Sequence, residues 1–598
     1  MTAAELRARG NAALEQGNLE GALDLYRQAA EADPRDAVPW LNMGFVKVEI
    51  SRWAEARDCL DRAIALAAPT DGFVADAYYL RGRAQQEQGA IEGALADYYA
   101  AVAARADFAE PMESAAQLLL DLKRFEDALQ WARRAAAVRP GPQADLVAAQ
   151  ALDRMHRPAE ALELLAQVLA RDPDNVIALE GRGTMLLRLG RDAEALGVFE
   201  RVLSLAGESV TRLANAALAS HRLGQSQDGA RHAQRALGLG AATRDDAYNL
   251  SAVLLEMHRV DEALAVLAPF AARDPRDVNL AWNVANAHLL RGDLAEGFGA
   301  YESRFTCDAL GWKKAPSDFG RPRWSGRESL AARSILVVGE QGLGDAIQML
   351  RYVPLLASQA SLVLLRIDPG VAPLMAELPR NCRWDSPASP PPPTDFQVPL
   401  MSLPLAFGTT LRTVPTPIPY VKADPARAET WRKRLDALGP APRVGIAWSG
   451  NPAHANDHNR SIPLRLFRNI AREGVQFVSL LPEVRDRDRQ EYATWTGLAR
   501  FGEELRDFAD TAALVANLDL VVSVDTSSVH LAGALGRPVW VLLPHYPDWR
   551  WMLGRDDSPW YPTARLWRQP KPGDWNSVLG SVRGELGKLA SGTPAHAR

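Results

Sequence analysis

The chain has 598 residues, with 47% apolar and 24% charged side chains and a formal net charge of −5. At ~150 residues per domain, this length predicts about four structural units and excludes a single small domain. The composition is typical of a folded protein and excludes long disorder. The small negative charge gives no basic field for nucleic acid or an anionic membrane.

Targeting and cysteine content both indicate the cytoplasm. The N-terminus, MTAAELRARGNAALEQG, has the pattern of a charged amphipathic helix and lacks the apolar segment of a signal peptide. No run approaches the ~18 apolar residues that cross a bilayer. Cys59, Cys307 and Cys382 are too far apart for a disulfide framework or a CxxC metal cluster. We therefore expect a cytoplasmic protein without membrane insertion.

Residues 1–305 repeat one pattern with a period of about 34 residues. A small residue stands at the eighth position of each unit, alanine at the twentieth, a bulky residue at the twenty-fourth and often proline at the end. The first three units place these residues at Gly10, Ala22, Tyr26 and Pro34, at Gly44, Ala56 and Leu60, and at Gly82, Ala94 and Tyr98. This is the tetratricopeptide (TPR) pattern, and it predicts an α-solenoid of about eight or nine helix pairs.

The pattern has a physical cause and a functional implication. Small side chains let the two helices of a pair cross closely, the bulky residue fills the gap, and proline ends the second helix. Pairs stack because none can bury its apolar face alone, and the stack forms an extended binding surface. We expect it to hold an extended peptide or a partner helix. A spacer or an oligomerisation surface is the alternative.

A linker is predicted at residues 306–332, where the helical period stops. Prolines and glycines interrupt it at Pro316, Gly320, Pro322 and Gly326. The linker also contains the aromatic residues Trp312, Phe319 and Trp324. A free hinge would expose these rings to water, so we expect the linker to pack against both neighbours.

Buried-strand patterns alternate with helical patterns after residue 333, which predicts parallel sheets with covered faces. The predicted strands are 334–340, 361–367, 443–448, 475–482, 518–524 and 537–544, and a proline-rich loop covers 386–395. A helix near 425–437, framed by proline breaks, separates two predicted lobes, 333–425 and 440–598. Ligands of such sheets bind beyond the carboxyl ends of the strands, which here means the cleft between the lobes.

The first candidate motif is the glycine loop Gly339-Glu340-Gln341-Gly342-Leu343-Gly344-Asp345, between a strand and a helix. It is not GxGxxG and no lysine follows, which disfavours a dinucleotide site or a phosphate loop. Asp345 is either an N-terminal helix cap or a general base that points into the cleft. A cap alone does not need three preceding glycines.

The second motif is the polar loop after the strand that ends at Trp448. Its candidate donor-binding residues are Ser449, Gly450, Asn451 and Arg460. Backbone N–H groups of the Ser-Gly turn and a bidentate arginine suit a phosphate group. A solvated loop is the alternative. His454 and His458 lack the accompanying carboxylate or cysteine spacing of a metal site, and we expect no metal.

The third motif follows the strand that ends at Val524, where a helix opens. Its candidate donor-binding residues are Asp525, Thr526, Ser527, Ser528 and His530. The helix N-terminus and the hydroxyl groups favour an anion, whereas Asp525 suits sugar hydroxyl groups. The alternative is a capped helix in which His530 is a core residue.

Two further segments carry charge but fit structural roles better. Residues 544–575 interleave tryptophans with arginines, as nucleic-acid binders do. The accompanying aspartates argue against that function, so we expect most of the rings to lie in the core. The segment Asp486-Arg487-Asp488 has the form of a metal-binding DxD but lies in a charge-rich helix. We expect it to be a solvated face.

The segments EQGLGDAIQMLRYVPLL, AWSGNPAHANDHNRSIPL and VVSVDTSSVHLAGALGRPVWVLLP, with the tryptophan-rich segment after them, resemble bacterial TPR-fused glycosyltransferases. The catalytic half of that family is similar to lipopolysaccharide heptosyltransferases. The resemblance implies a GT-B fold of two Rossmann-like lobes, with a nucleotide-sugar donor and no metal or other cofactor. By position, Asp345 matches the presumed base, Arg460 a basic residue near the donor phosphates, and Asp525, Thr526 and His530 the donor loop.

The resemblance further implies the acceptor. Some relatives glycosylate flagellin with a nonulosonic acid such as pseudaminic or legionaminic acid, and the layout is distantly similar to O-linked N-acetylglucosamine transferases. We therefore expect an inverting protein O-glycosyltransferase whose array recruits a polypeptide. The alternatives are a glycan or lipopolysaccharide glycosyltransferase, and a non-catalytic TPR scaffold with a degenerate transferase half.

Overall fold

A computed structural model of the protein describes residues 1–68, 70–306, 318–375, 378–416, 418–454 and 456–591. The chain forms two compact units, Met1–Glu208 and Ser209–Arg598. Cys307, Trp312 and Pro316, which the sequence places in or next to the linker, lie outside the described residues. In the described part of the chain, no helix combines the length and apolar content that a membrane span requires.

Eighteen helices follow one another in nine pairs within residues 1–68 and 70–306. The first unit contains α1 (Ala3–Glu15), α2 (Leu19–Ala32), α3 (Val38–Glu49), α4 (Trp53–Leu66), α5 (Val74–Glu87), α6 (Ile91–Ala104), α7 (Ala109–Asp121), α8 (Phe125–Val138), α9 (Pro142–Arg154), α10 (Pro158–Arg171), α11 (Val176–Arg188) and α12 (Asp192–Ala206). The second unit begins with α13 (Val210–Arg222), α14 (Ser226–Leu239), α15 (Arg244–Glu256), α16 (Val260–Arg273), α17 (Val278–Arg291) and α18 (Leu294–Tyr301). The predicted helical repeat is confirmed.

Close helix contact explains the small residues of the repeat. A Cβ atom placed on Gly10 would lie 2.5 Å from the Tyr26 ring, and one placed on Gly183 would lie 2.5 Å from the Phe199 ring. Tyr26 and Phe199 are themselves almost fully buried. The eighth and twenty-fourth positions of a repeat therefore touch each other, as the spacing predicts, and a side chain at the eighth position would force the helices apart.

The boundary between the two compact units lies inside the predicted array, after α12. The last six helices belong to the same compact unit as the strands, because hydrogen bonds join them to the segments that follow the strands. His258 Nε2, after α15, lies 2.8 Å from the carbonyl oxygen of His545. The backbone N–H of Leu553 donates to the carbonyl oxygen of Leu290 at 3.0 Å.

The first sheet has four parallel strands in the order β3-β2-β1-β4. They are β1 (Ser334–Val338), β2 (Leu362–Arg366), β3 (Cys382–Trp384) and β4 (Phe396–Pro399), with the helices α19 (Leu343–Met349), α20 (Val353–Gln359) and α21 (Leu403–Ala406). In the register, Ile335 lies opposite Val363 on one side and Phe396 on the other. The inner strands are buried on both faces, as in other covered parallel sheets.

The second sheet has six parallel strands in the order β10-β9-β8-β5-β6-β7. They are β5 (Arg443–Ala447), β6 (Gln476–Ser479), β7 (Leu498–Ala499), β8 (Leu520–Val524), β9 (Val539–Leu543) and β10 (Ala564–Arg568). The accompanying helices are α22 (Pro425–Asp436), α23 (Asp457–Arg460), α24 (Leu464–Phe467), α25 (Arg489–Thr494), α26 (Phe508–Val515), α27 (Ser527–Ala534) and α28 (Trp575–Ala590). This is the strand order of a doubly wound α/β sheet, and the order reverses between β5 and β8.

All six predicted strands are present, and four strands were not predicted. Strands β3 and β7 are very short, whereas in β4 and β10 a proline or arginines interrupt the apolar pattern. The predicted solvated face at residues 486–488 is wrong for Asp488. This carboxylate is buried and accepts hydrogen bonds from Trp448 Nε1 at 3.1 Å and from the Leu464 amide at 2.9 Å.

The described linker aromatics pack on the strand region. Trp324 is buried, donates its indole N–H to the Glu328 carbonyl oxygen at 2.9 Å and meets the Phe407 ring edge to face. Phe319 packs against strands β1 and β2. Both rings therefore pack against the strand region of the chain.

Candidate functional site

The glycine loop makes a tight turn at the end of β1 and leads into α19. A Cβ atom on Gly339 would lie 2.8 Å from Ile367 Cα, so only glycine lets the ends of β1 and β2 approach this closely. Asp345 Oδ2 accepts the Gly342 amide at 2.9 Å, which makes Asp345 a capping residue of α19. Its Oδ1 accepts from Arg550. Asp345 is therefore a helix-capping residue in the structure. Its side chain also bonds to Arg550, which lies in the segment after β9.

The two predicted donor loops follow the strands that flank the reversal of strand order in the second sheet. The loop at 448–460 follows β5, and the loop at 525–530 follows β8, its neighbour. Arg460 joins them by donating from Nη1 to the Asp525 carbonyl oxygen at 3.0 Å. A Cβ atom on Gly450 would lie 2.8 Å from Arg460 Nη2, so the guanidinium lies directly against the turn.

A second arginine holds the shape of the β5 loop. Arg485 donates to the Gly450 carbonyl oxygen and pairs with Asp457, each at 2.7 Å. Asp457 also accepts from the Ser461 hydroxyl at 2.7 Å, and the Ser461 Oγ accepts the Gly450 amide at 3.0 Å. These buried groups keep the Ser-Gly turn fixed. The Gly450 carbonyl oxygen thus bonds to Arg485, whereas the Gly450 amide bonds to Ser461.

The remaining predicted residues of these loops differ in accessibility. Ser449 is buried, and Asn451 is exposed with its Oδ1 bonded to the Ala453 amide at 2.9 Å. Thr526 caps α27 by accepting the Ser528 amide at 3.2 Å, and Ser528 is buried. Ser527 is half-buried at the start of the same helix. Asn451 and Ser527 are thus more accessible to a ligand than Ser449 and Ser528.

The glycine loop and the β8 loop meet where Gly344 approaches His530. A Cβ atom on Gly344 would lie 2.7 Å from His530 Cδ2. His530 is buried, its Nδ1 lies 2.9 Å from the Tyr561 hydroxyl, and its ring stacks on Trp551. Burial, helped by Arg550, lowers the pKa of His530 to about 3, so the ring is neutral. His530 is therefore a core residue, which was the structural alternative for it. It also packs against the glycine loop at Gly344.

Three carboxylates gather around Arg550. This arginine is 7% exposed and donates to Asp345, to Asp548 at 2.8 Å and to Gln348 Oε1 at 2.9 Å. Burial works against the charge of Asp548, but Arg550 outweighs it and lowers the pKa of Asp548. Asp525 has the opposite shift: burial and the nearby Asp548 raise its pKa to about 6. A carboxyl group with such a pKa can exchange a proton near neutral pH.

The β5 loop faces the same cluster. Atoms packed around His454 and the charge of Arg460 lower the pKa of His454, while Asp548 and Asp345 act in the opposite direction. Charges of the glycine loop and of the loop after β9 thus act on a residue of the β5 loop. Among the residues that the structure describes, no cluster of three His, Cys, Asp or Glu side chains has the arrangement of a metal site.

Sequence reasoning missed the central residue of this cluster. Arg550 and Asp548 lie in the tryptophan-rich segment, which was expected to supply core rings. That expectation holds for Trp549, Trp551 and Trp560, which are buried. The segment DWRW pairs an aspartate with an arginine between buried rings, a pattern that could have indicated a buried ion pair.

Models of the tetratricopeptide repeat match residues 13–72, 146–209 and 248–309. The chain therefore contains TPR repeats. Protein FlbA of Caulobacter vibrioides is 27% identical to it over 379 residues, which cover 58% of this chain and 61% of that protein. The match thus spans less than two thirds of FlbA.

Several solved structures of TPR proteins are similar to part of the chain. YrrB, a TPR protein with an unusual peptide-binding site, is 21% identical and covers 31% of this chain and 93% of its own, with a TM-score of 0.28. MamA is 20% identical and covers 27% and 94%, with a TM-score of 0.26. A TPR protein from Parabacteroides merdae is 18% identical and covers 42% and 98%, with a TM-score of 0.31.

Proposed function

We propose that this protein is an inverting glycosyltransferase that moves a sugar from a nucleotide-activated donor to Ser or Thr of a polypeptide recruited by the TPR array. The observation that carries the proposal is the position of the two donor loops at the reversal point of a doubly wound sheet, opposite the turn that bears Asp345. Nucleotides bind at such reversal points. The two sheets would then be the lobes of a GT-B fold.

The donor's phosphate group would lie between Arg460 and the start of α27. Arg460 is anchored by the Asp525 carbonyl oxygen at 3.0 Å and still has further N–H groups to donate. The positive end of the α27 helix dipole adds positive potential. Asp525 would accept from sugar hydroxyl groups, because a phosphate would repel its carboxylate.

The reaction breaks one bond and forms another on the anomeric carbon. The acceptor hydroxyl oxygen attacks this carbon, the bond from the carbon to the nucleotide phosphate oxygen breaks, and the hydroxyl proton moves to Asp345. Arg460 stabilises the charge that develops on the leaving phosphate. Each carboxylate oxygen of Asp345 already accepts one hydrogen bond, from the Gly342 amide and from Arg550. The acceptor hydroxyl would bond to a remaining lone pair of this carboxylate.

The acceptor is proposed to be a polypeptide because TPR repeats form extended peptide-binding surfaces. Flagellin with a nonulosonic acid is the pair of substrates that the family resemblance supplies. A glycan or lipopolysaccharide acceptor is the main alternative, and a scaffold without activity is the second.

A donor screen tests the proposal first. The full chain is heated with cytidine, uridine, guanosine or adenosine sugar nucleotides, and its unfolding temperature is recorded. A donor at ~100 times its dissociation constant adds about 2.7 kcal/mol of stability, and we expect one base to do so. If none of these donors stabilises the chain, the result favours the scaffold alternative.

A transfer assay with that donor then identifies the acceptor and the base. Intact mass should rise by one sugar on a polypeptide, whereas a mass increase on a glycan alone would favour the alternative acceptor. Asp345→Asn should lower kcat by about 10²- to 10⁴-fold. Asp424→Asn is the matched control, since Asp424 also caps a helix, through the Arg427 amide at 2.8 Å. Equal kcat values in the two variants would remove Asp345 from the role of base.

A further inference from the structure

The glycine loop is fastened to the end of the TPR array. Arg304, just after α18, donates from Nε and Nη2 to the two carboxylate oxygens of Glu340, each at 2.8 Å. The two side chains are 0% and 1% exposed. The next loop residue, Gln341, donates from Nε2 to the hydroxyl oxygen of Tyr301, the last residue of α18, at 3.0 Å. Two successive residues of the loop are therefore bonded to the array.

The hydrogen bond to Tyr301 is made by Gln341, the loop residue with the least favourable backbone conformation. Gln341 has a φ of 61°, the left-handed conformation that non-glycine residues rarely adopt. Such a conformation persists only where surrounding contacts impose it. Gln341 directly precedes Gly342, whose amide is bonded to Asp345. The backbone angle at Gln341 thus sets the position of the turn that carries the carboxylate.

Tyr301 is itself held rigidly. It is 2% exposed, and its ring contacts Trp282 and Trp549 at centroid distances of 5.2 Å and 5.9 Å. Burial raises the pKa of Tyr301 to about 12, so its hydroxyl stays protonated. Arg550 acts to lower the pKa of this hydroxyl and Asp345 acts to raise it, and burial outweighs both.

We propose that Tyr301 is a positioning residue for the transfer reaction: it holds Gln341 in its left-handed conformation and so fixes the Gly342–Asp345 turn. The inference rests on the proposed function and adds that a residue of the array positions the loop that carries the proposed base. On this view the array both recruits the acceptor and shapes the loop that activates it.

The test replaces the hydroxyl without changing the ring. In Tyr301→Phe, kcat should fall by about 10- to 100-fold, because misplacement of a reacting group by about 1 Å has this effect, while the KM for the donor stays unchanged. Gln341→Met should give the same fall, and the double variant should fall no further. Hydrogen exchange at the amides of residues 341–345 should become faster in all three variants.

Tyr98→Phe is the matched control. Tyr98 is also buried in the array, and its hydroxyl donates to Gln86 Oε1 at 2.7 Å, so the same kind of bond is lost outside the glycine loop. This variant should keep kcat and the slow exchange of the loop. If Tyr301→Phe exchanges and turns over like Tyr98→Phe, the positioning role is refuted.

Exchange separates this inference from the proposed function. If the unmodified chain transfers no sugar from any donor, the proposed function fails, but the loop amides still report on Tyr301. Faster exchange in Tyr301→Phe would then support the positioning of the loop, and unchanged exchange would overturn it.

Discussion

The contact between Gly344 and His530 predicts a large effect from a single methyl group. In Gly344→Ala the new Cβ atom would lie 2.7 Å from His530 Cδ2, whereas ordinary van der Waals contacts begin near 3.4 Å. The ring cannot move away freely, because it is bonded to Tyr561 and stacked on Trp551. Overpacking a core in this way costs about 1–3 kcal/mol, and loss of the Tyr561 bond adds about 1 kcal/mol.

We therefore expect Gly344→Ala to lower the free energy of unfolding of the second unit by about 2–4 kcal/mol. The measurement is the urea midpoint of the full chain, followed by tryptophan fluorescence, since Trp551 lies against His530. The same variant should also weaken donor binding, because His530 follows the β8 loop on α27.

Gly584→Ala is the comparison for this variant. Gly584 is exposed within α28, and a Cβ atom there would meet nothing within 4 Å. Alanine in such a helix interior stabilises by about 0.5–1 kcal/mol, so the two substitutions should have opposite signs. A urea midpoint for Gly344→Ala equal to or above that of the unmodified chain would show that the glycine loop and α27 are not in close contact.

Three further predictions concern the donor site and the array. Arg460→Met should weaken the binding of the donor found in the screen by at least about tenfold, the effect of losing a charged hydrogen bond, as measured by calorimetry. Asp525 gains its charge as the pH rises through about 6, so an anionic donor should bind more tightly at pH 5 than at pH 7; Asp525→Asn should remove that dependence in the same titration. Gly183→Ala should lower the thermal unfolding midpoint, since its Cβ atom would lie 2.5 Å from Phe199, whereas Gly197→Ala, with nothing within 4 Å, should raise it.

The sequence predicted the local elements well because their patterns are short-range. The contact of Gly10 with Tyr26 is set by helix geometry within one repeat, so residue spacing alone predicts it. The central strands were predicted because they are continuous apolar runs between turn residues. Strands β3 and β7, with three and two residues, are too short to show any period and depend on pairing with a neighbour that is distant in sequence.

The candidate site divides in the same way. Asp345, Arg460 and Asp525 were predicted because each follows a strand, and the carboxyl ends of parallel strands lie at one edge of a sheet. Arg550, which bonds to Asp345, lies 205 residues beyond it, and no local pattern connects the two. The sequence placed Tyr301 in the last repeat and gave it no role in the site. Its contact with the glycine loop depends on how the last helix pairs pack on the first sheet, which no local pattern shows.

The sequence by itself thus determined the helical repeat and the central strands, and it supplied the candidate residues of the proposed site. The tertiary structure alone decided which of these residues are neighbours, and that the last three helix pairs share a compact unit with the sheets. The physical reason is one of range. Helix crossing and strand burial are fixed by side chains a few positions apart, whereas a buried ion pair such as Arg550 with Asp345 forms only when distant segments exclude water together.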